Sequence, residues 1–367
     1  MRRSVSTLAL LTWAALLLVP SAAHTAPDVD ASSLDVVLAI DGTASMKSSI
    51  AQAKKDGERL VARLREVSPD LQVGVVVFRD YRNPAGEYEL LQPLTRETPA
   101  VEAALERVRA VSNPDPANGV AESYALLFRK TYTDPAIGWR PGARKVVVVM
   151  GDAEPYDAGT GDLPGCRSKV QDPHGLKASE ELARMRANGI VLLLVRQVSS
   201  ETSAALGCYA SLAEQAAVGS AARDGGGSTE LVEPIVSLTK QVFAPLALRA
   251  NGTKLRHGAK VRYSLSLTNR SAAPLRVAWL RAQLPRSFSY DGKSTMGHPK
   301  RRVTSRFSLL VWHLDRTIAP GRSISITFSA RPTKSGKFRA TARGLARLQN
   351  GLRVDVNTRA AEVVALS

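Results

Sequence analysis

Cysteine is nearly absent from this chain: Cys166 and Cys208 are the only two in 367 residues. Neither has a histidine or a second cysteine at metal-ligand spacing, which argues against a thiolate zinc site. Two readings of the pair stay open, one disulfide in an oxidising compartment or two unrelated buried thiols. Histidine is scarce too. His24, His174, His257, His298 and His313 are scattered, only His174 falls in a loop near the candidate site described below, and no nucleophile–base pair is evident. The chain therefore reads as a binding protein and not as an enzyme. Beyond the first twenty residues no apolar run is long enough to span a bilayer. Acidic charge is in short supply, and the formal net charge is +17.

That charge is uneven. From Leu246 onward there are 24 Lys and Arg against 4 Asp and Glu, while the rest of the chain is close to neutral. Such asymmetry, in a chain longer than one small domain, predicts two units. At the N-terminus Arg2 and Arg3 precede an apolar core from Leu8 to Val19 and the small residues Ser21-Ala22-Ala23. This is the plan of a signal peptide over residues 1–23, followed by a short polar leader over 24–33. No cysteine follows the apolar core, so a lipoprotein anchor is not expected. The mature protein reads as exported, either periplasmic or secreted to the cell surface.

Residues 34–245 alternate continuous apolar runs with amphipathic patterns. Val36–Ile40, Leu71–Phe78 and Lys145–Met150 read as strands buried on both faces. Met46, Ile50, Ala53, Gly57, Leu60, Leu64 and Val67 recur at helical steps after the first of them. Tyr88–Leu91 reads as a short antiparallel edge strand, Pro99–Val111 as a helix, and Ser228–Val232 as the last strand of the sheet. The pattern predicts an α/β domain with a doubly wound, Rossmann-like, mostly parallel sheet. From residue 246 to 367 the period changes to two, as in Lys260–Thr268 and Ser323–Ala330, with Gly, Pro and Asn turns between. That predicts an all-β, antiparallel sandwich.

The first buried strand stops at Asp41, and Asp41-Gly42-Thr43-Ala44-Ser45 leads into the helix. A carboxylate and two hydroxyls at the carboxyl end of a central strand are hard oxygen donors, suited to Mg²⁺. D-G-T-A-S resembles the D-x-[ST]-x-S signature of von Willebrand factor A domains, in the D-x-T-x-S form seen in many bacterial members. Gly151–Pro155, G-D-A-E-P, is similar to the string that carries a second carboxylate in that family. The resemblance implies a metal-ion-dependent adhesion site for Mg²⁺ (or Mn²⁺) built on Asp41, Thr43, Ser45 and Asp152. It implies one further ligand on the loop SNPDPANGV. No Thr is offered there, and Asp115 is the donor assigned. It also implies a protein partner that completes the metal shell with an acidic side chain. The run from Leu284 to Ala342 resembles an immunoglobulin-like repeat of bacterial surface proteins, with its Leu-Pro turn, W-x-L segment and A-P-G turn.

Two other readings compete. I-D-G-T followed by G-D-x-x-x-x-D also resembles haloacid-dehalogenase phosphatases. Against that, Ala39 stands where their D-x-D motif needs an acid, and the chain passes straight into a helix at Met46 without their squiggle and flap. Alternatively, Asp41 and Ser45 cap the following helix, and the protein has a structural or assembly role with a degenerate site. The basic half, densest at Lys300-Arg301-Arg302 and Arg306, predicts contact with an envelope or matrix polyanion. Nucleic acid is not expected, because the protein is read as exported and no aromatic stacking platform accompanies the arginines.

Overall fold

The computed structural model describes residues 33–366 apart from 113–120, 157–162, 198–205, 218–219, 226–230, 257, 272, 349–350, 352 and 359. The expected signal peptide and all of the leader but Ser33 lie outside the described residues, as does Asp115. In chain order the first strands are β1 (Ser33–Asp41), β2 (Asp70–Phe78), β3 (Tyr88–Thr95), β4 (Ala121–Glu122), β5 (Arg144–Gly151), β6 (Glu154–Pro155), β7 (Val191–Arg196) and β8 (Ala221–Asp224). The helices are α1 (Lys47–Val67), α2 (Thr98–Arg107), α3 (Tyr124–Thr133), α4 (Ala178–Ala187), α5 (Leu206–Gln215) and α6 (Val232–Phe243).

Six strands make one sheet in the order β3-β2-β1-β5-β7-β8. All neighbours are parallel except the β2–β3 pair, which is antiparallel as its sequence predicts. The apolar run of β1 is continuous because it feeds two cores. Val36, Leu38 and Ile40 pack with Ile50, Leu60 and Leu64 of α1 and with Ile235 of α6. Val37 and Ala39 face the other way, toward Tyr124 and Leu127 of α3 and Leu212 of α5. Helices on both sides of a parallel sheet leave neither strand face in water.

Two boundaries differ from expectation. Among the described residues the last strand of the sheet is Ala221–Asp224; residues 228–230 of the expected strand Ser228–Val232 lie outside the described residues, and its end, Val232, begins α6. As an outer strand, β8 needs little apolar content, so the period gave no signal. Helix α2 stops at Arg107, although the apolar pattern runs on to Val111. Those apolar residues serve other contacts: Val108 is buried in the core, and Val111 forms an isolated parallel bridge with Thr43.

The remaining chain is all β: β9 (Leu246–Ala250), β10 (Lys254–Arg256), β11 (Val261–Thr268), β12 (Leu275–Pro285), β13 (Phe288–Ser294), β14 (Lys300–Val303), β15 (Phe307–Ile318), β16 (Ser323–Pro332), β17 (Gly336–Arg347), β18 (Arg353–Asn357) and β19 (Ala361–Leu366). A seven-stranded sheet runs β10-β19-β17-β12-β15-β14, with β18 also on β17, and a four-stranded sheet runs β13-β16-β11-β9. Pairing is antiparallel except between β10 and β19. Leu280, Leu284 and Trp312 from the first sheet share a core with Tyr263, Leu265 and Phe328 from the second.

This β region meets the α/β region at the amino-terminal end of the parallel strands. Arg144, opposite Leu34 in the β1–β5 register, donates to the Arg270 carbonyl at 2.5 Å and lies 5.6 Å over the Phe243 ring. The Arg270 N–H donates to the Phe243 carbonyl at 2.7 Å. At the same end, buried Asp35 accepts from Arg140 Nε at 2.7 Å, and Arg140 also reaches Asp70 at 2.7 Å.

Candidate metal site

Asp41 closes β1, fully buried, at the opposite end of the sheet from that junction. Its Oδ1 accepts from the Thr43 N–H at 3.0 Å and from Thr43 Oγ1 at 2.6 Å. Its Oδ2 is buried and has no hydrogen-bond partner. The turn that follows is held from both sides. The Gly42 N–H donates to the Phe78 carbonyl, and the Gly42 carbonyl accepts from the Val111 N–H, each at 2.9 Å. A side chain at Gly42 would meet Val77 Cγ1 at 2.6 Å, so glycine is required by this close approach. One turn of 3₁₀ helix, Ala44–Met46, then presents Ser45 before α1 begins at Lys47. Ser45 Oγ donates to Asp152 Oδ1 at 3.2 Å and lies 3.3 Å from Thr43 Oγ1.

Asp152 is brought there because β5 is the parallel neighbour of β1, and both chains turn away at the same level. Behind it, Gly151 leaves room for the buried hydroxyls of Tyr124 and Tyr209, which hydrogen-bond each other. The structure therefore joins four of the five predicted residues, Asp41, Thr43, Ser45 and Asp152. The segment holding Asp115 lies outside the described residues. Its described flanks come to the site from both sides, Val111 against Thr43, and β4 paired with β6 just after Asp152. His174 takes no part. It packs 4.7 Å from the Tyr81 ring and faces Glu87 at 3.6 Å.

Sequence reasoning missed Glu122. It pairs in register with Pro155, is buried, and its Oε2 has no hydrogen-bond partner. Burial, then the Asp41, Asp80 and Asp152 carboxylates, push its carboxyl well above the usual range. Burial and then Asp152 likewise push Asp41 up to about 7, against the hydrogen bonds from Thr43 and the smaller pull of the Asp152 main-chain N–H. The signal in the sequence is one acid set in the apolar stretch Ala121–Phe128. It was passed over because the stretch reads as helix throughout, whereas α3 begins only at Tyr124.

Asp41 Oδ2, buried and without a donor, belongs with two hydroxyls and the Asp152 carboxylate to a set of hard acceptors short of positive charge. An unpaired buried charge is costly, and a divalent cation with oxygen ligands supplies what is missing. Among the described residues no three His, Cys, Asp or Glu side chains form a ready-made ligand cluster. The donor set here is mixed, carboxylate with hydroxyl, and it fits a metal that keeps some of its waters.

Residues 35–214 match the family model described as von Willebrand factor type A domain. That stretch is a von Willebrand factor A domain. The collagen alpha-5(VI) chain of Mus musculus is 28% identical over 136 residues, 37% of this chain and 5% of that one, so the likeness spans a small part of that protein's length. Among solved structures, the pilus adhesin SpaC from Lactobacillus rhamnosus GG has 10% identity and a TM-score of 0.42, covering 91% of this chain and 45% of its own. Proximal thread matrix protein 1 from the mussel byssus has 16% identity and a TM-score of 0.39, covering 63% and 53%. Within the A domain, the matched residues include all four members of the constellation. The straight passage from Ser45 into α1 leaves no room for the inserted elements of a haloacid-dehalogenase phosphatase.

Proposed function

We propose that this is an exported, non-enzymatic adhesion protein whose A domain binds a protein partner through a divalent cation. Asp41, Thr43, Ser45 and Asp152 would hold Mg²⁺ or Mn²⁺, with Asp115 as the further ligand expected from sequence, and the buried Glu122 carboxyl acts on Asp41 and Asp152 through space. The observation that carries this reading is the buried, unpartnered Oδ2 of Asp41, on a carboxyl that feels the charge of Asp152. A Mg²⁺ ion wants about six oxygens and gives up its waters reluctantly. A carboxylate from the partner would complete the shell, and the contact would be charge-assisted on both sides. The chain's own residues orient the ion and hold it near the surface. A signal peptide over 1–23, a boundary near residue 245, an immunoglobulin-like character for the β region and a polyanion contact there belong to the same reading.

The test is thermal unfolding with Mg²⁺ or Mn²⁺ against EDTA, on the wild type and on Asp41→Ala. A metal-induced rise in Tm that Asp41→Ala abolishes supports the reading. No rise in the wild type leaves a structural protein with a degenerate site. Pull-down from envelope extract with and without EDTA then identifies the partner.

A further inference from the structure

The outward face of the seven-stranded sheet carries arginines that the fold does not use. Along β12, Leu280, Ala282 and Leu284 point into the core, and Arg281 and Gln283 point out. On β17, Ala342 and Ala346 are buried, and Arg343 and Arg347 are exposed. Registers align these outward residues into a row across the strands. Arg343 lies directly opposite Arg281, Arg281 opposite Val311, and Val311 opposite Lys300. One step along the strands, Arg302 stands opposite Leu309, on the same face.

Like charges directly opposite one another destabilise a sheet, so Arg281 beside Arg343 works against folding. No acid relieves it. The four acids of this region are committed elsewhere: Asp291 to Lys260 and Arg331, Asp315 to Arg276, Asp355 to Arg353, and Glu362 to Lys337 and Arg339. Among the described residues, Arg281, Arg343, Lys300 and Arg302 make no ion pair. Arg281 instead lies 5.5 Å from the centre of the Trp279 ring.

We infer that this row is a binding site for a linear acidic polysaccharide lying across the strands. The inference rests on the polyanion reading of the basic region and assigns it a surface and a ligand class. Adjacent strands are about 5 Å apart, close to the length of one sugar unit. A chain of uronate or sulfated sugars laid along the row therefore presents its acidic groups to Arg343 and Arg281 on neighbouring strands and to Lys300 two strands further on. Nucleic acid is disfavoured because the Trp279 ring beside the row already carries the Arg281 guanidinium on one face.

The experiment uses the whole protein and its Arg281→Gln/Arg343→Gln variant, with Lys260→Gln/Arg331→Gln on the other sheet as the control. Binding is measured to heparin, to polygalacturonate, to duplex DNA and to vesicles containing phosphatidylglycerol. Expected are binding to the two polysaccharides, weakening on the order of tenfold in Arg281→Gln/Arg343→Gln, and no change in the control. The Tm of that variant should not fall, since substitution removes a repulsion; a purely structural role for the pair predicts a fall. Equal polysaccharide binding by variant and wild type overturns the site while leaving the polyanion reading in place. DNA or vesicles bound as tightly as the polysaccharides overturn the ligand class. If the wild type binds none of the probes, the polyanion reading fails with it.

Discussion

Ser45 Oγ lies 3.2 Å from Asp152 Oδ1, a contact between residues 107 apart in the chain. It joins the turn after one strand to the turn after its parallel neighbour, and Ser45 is also within reach of Thr43. Ser45→Ala removes a donor common to both halves of the site. It should weaken Mn²⁺ binding by about tenfold or more while leaving the EDTA-treated protein's Tm within a few degrees of wild type. Calorimetric titration with Mn²⁺ checks the first, and thermal unfolding in EDTA the second.

Asp41→Asn should act in opposite directions on the two forms of the protein. Asn keeps an oxygen for the Thr43 donors but removes a buried charge beside Asp152. The metal-free protein should therefore unfold at a higher temperature than wild type, and the gain on adding Mg²⁺ should vanish. A lower Tm in EDTA would show that the Asp41 carboxylate is held by partners and not by a cation.

Glu122→Gln tests the residue that sequence reasoning overlooked. The substitution keeps the shape and removes a carboxyl whose ionisation burial and the neighbouring carboxylates oppose, with no donor on Oε2. Metal-free stability should rise, and Mn²⁺ affinity should drop by an amount similar to that of Ser45→Ala. Unchanged affinity would show that Glu122 does not act on the cation.

Cys166 and Cys208 are bonded to each other, which settles the choice left open by their number. The bond ties the insertion after Tyr156 to α5 and closes a loop with a sequence separation of 42. Loop closure of that length is worth about 2–4 kcal/mol. Reduction, or Cys166→Ser with Cys208→Ser, should lower the denaturant midpoint correspondingly and expose the insertion to proteolysis before the rest of the domain.

Acid stability should respond to a group far from the metal site. The Ser33 hydroxyl and then Arg140 hold the Asp70 carboxyl down at about 2, from 3.8. A depressed carboxyl protonates later in the folded chain than in the unfolded one. Its contribution is therefore complete above about pH 4 and fades as the pH falls toward 2. Ser33→Ala should move the acid-unfolding midpoint upward, with the difference from wild type disappearing below about pH 2. Arg140→Gln should cost more, about 3–5 kcal/mol, because buried Asp35 loses its ion pair and keeps only the donor from the main-chain N–H of residue 140.

The parts of this fold legible in the sequence are those where one cause dominates. Val36–Ile40 and Val146–Met150 are apolar at every position because they are covered on both faces, and α1 repeats at helical steps because one side faces the sheet. Asp41, Thr43 and Ser45 are adjacent in the chain, and Asp152 follows from parallel neighbours ending together. Glu122 had no such support. Its role depends on β4 pairing with β6, a pair of two-residue strands that no periodicity announces. The stretch Val108–Val111 misled for a related reason, since apolar residues leaving a helix can be needed by a neighbouring turn.

The seat of Arg144 against Arg270 and Phe243 lies at the amino-terminal end of the parallel strands, and Asp41 lies at their carboxyl end. A tension applied between the two therefore runs lengthwise through the sheet. The hydrogen bonds of β1 to β2 and β5 are then loaded together in shear, and none of them can open alone as in a zipper. Under a load in that direction the strands can part only by sliding past one another.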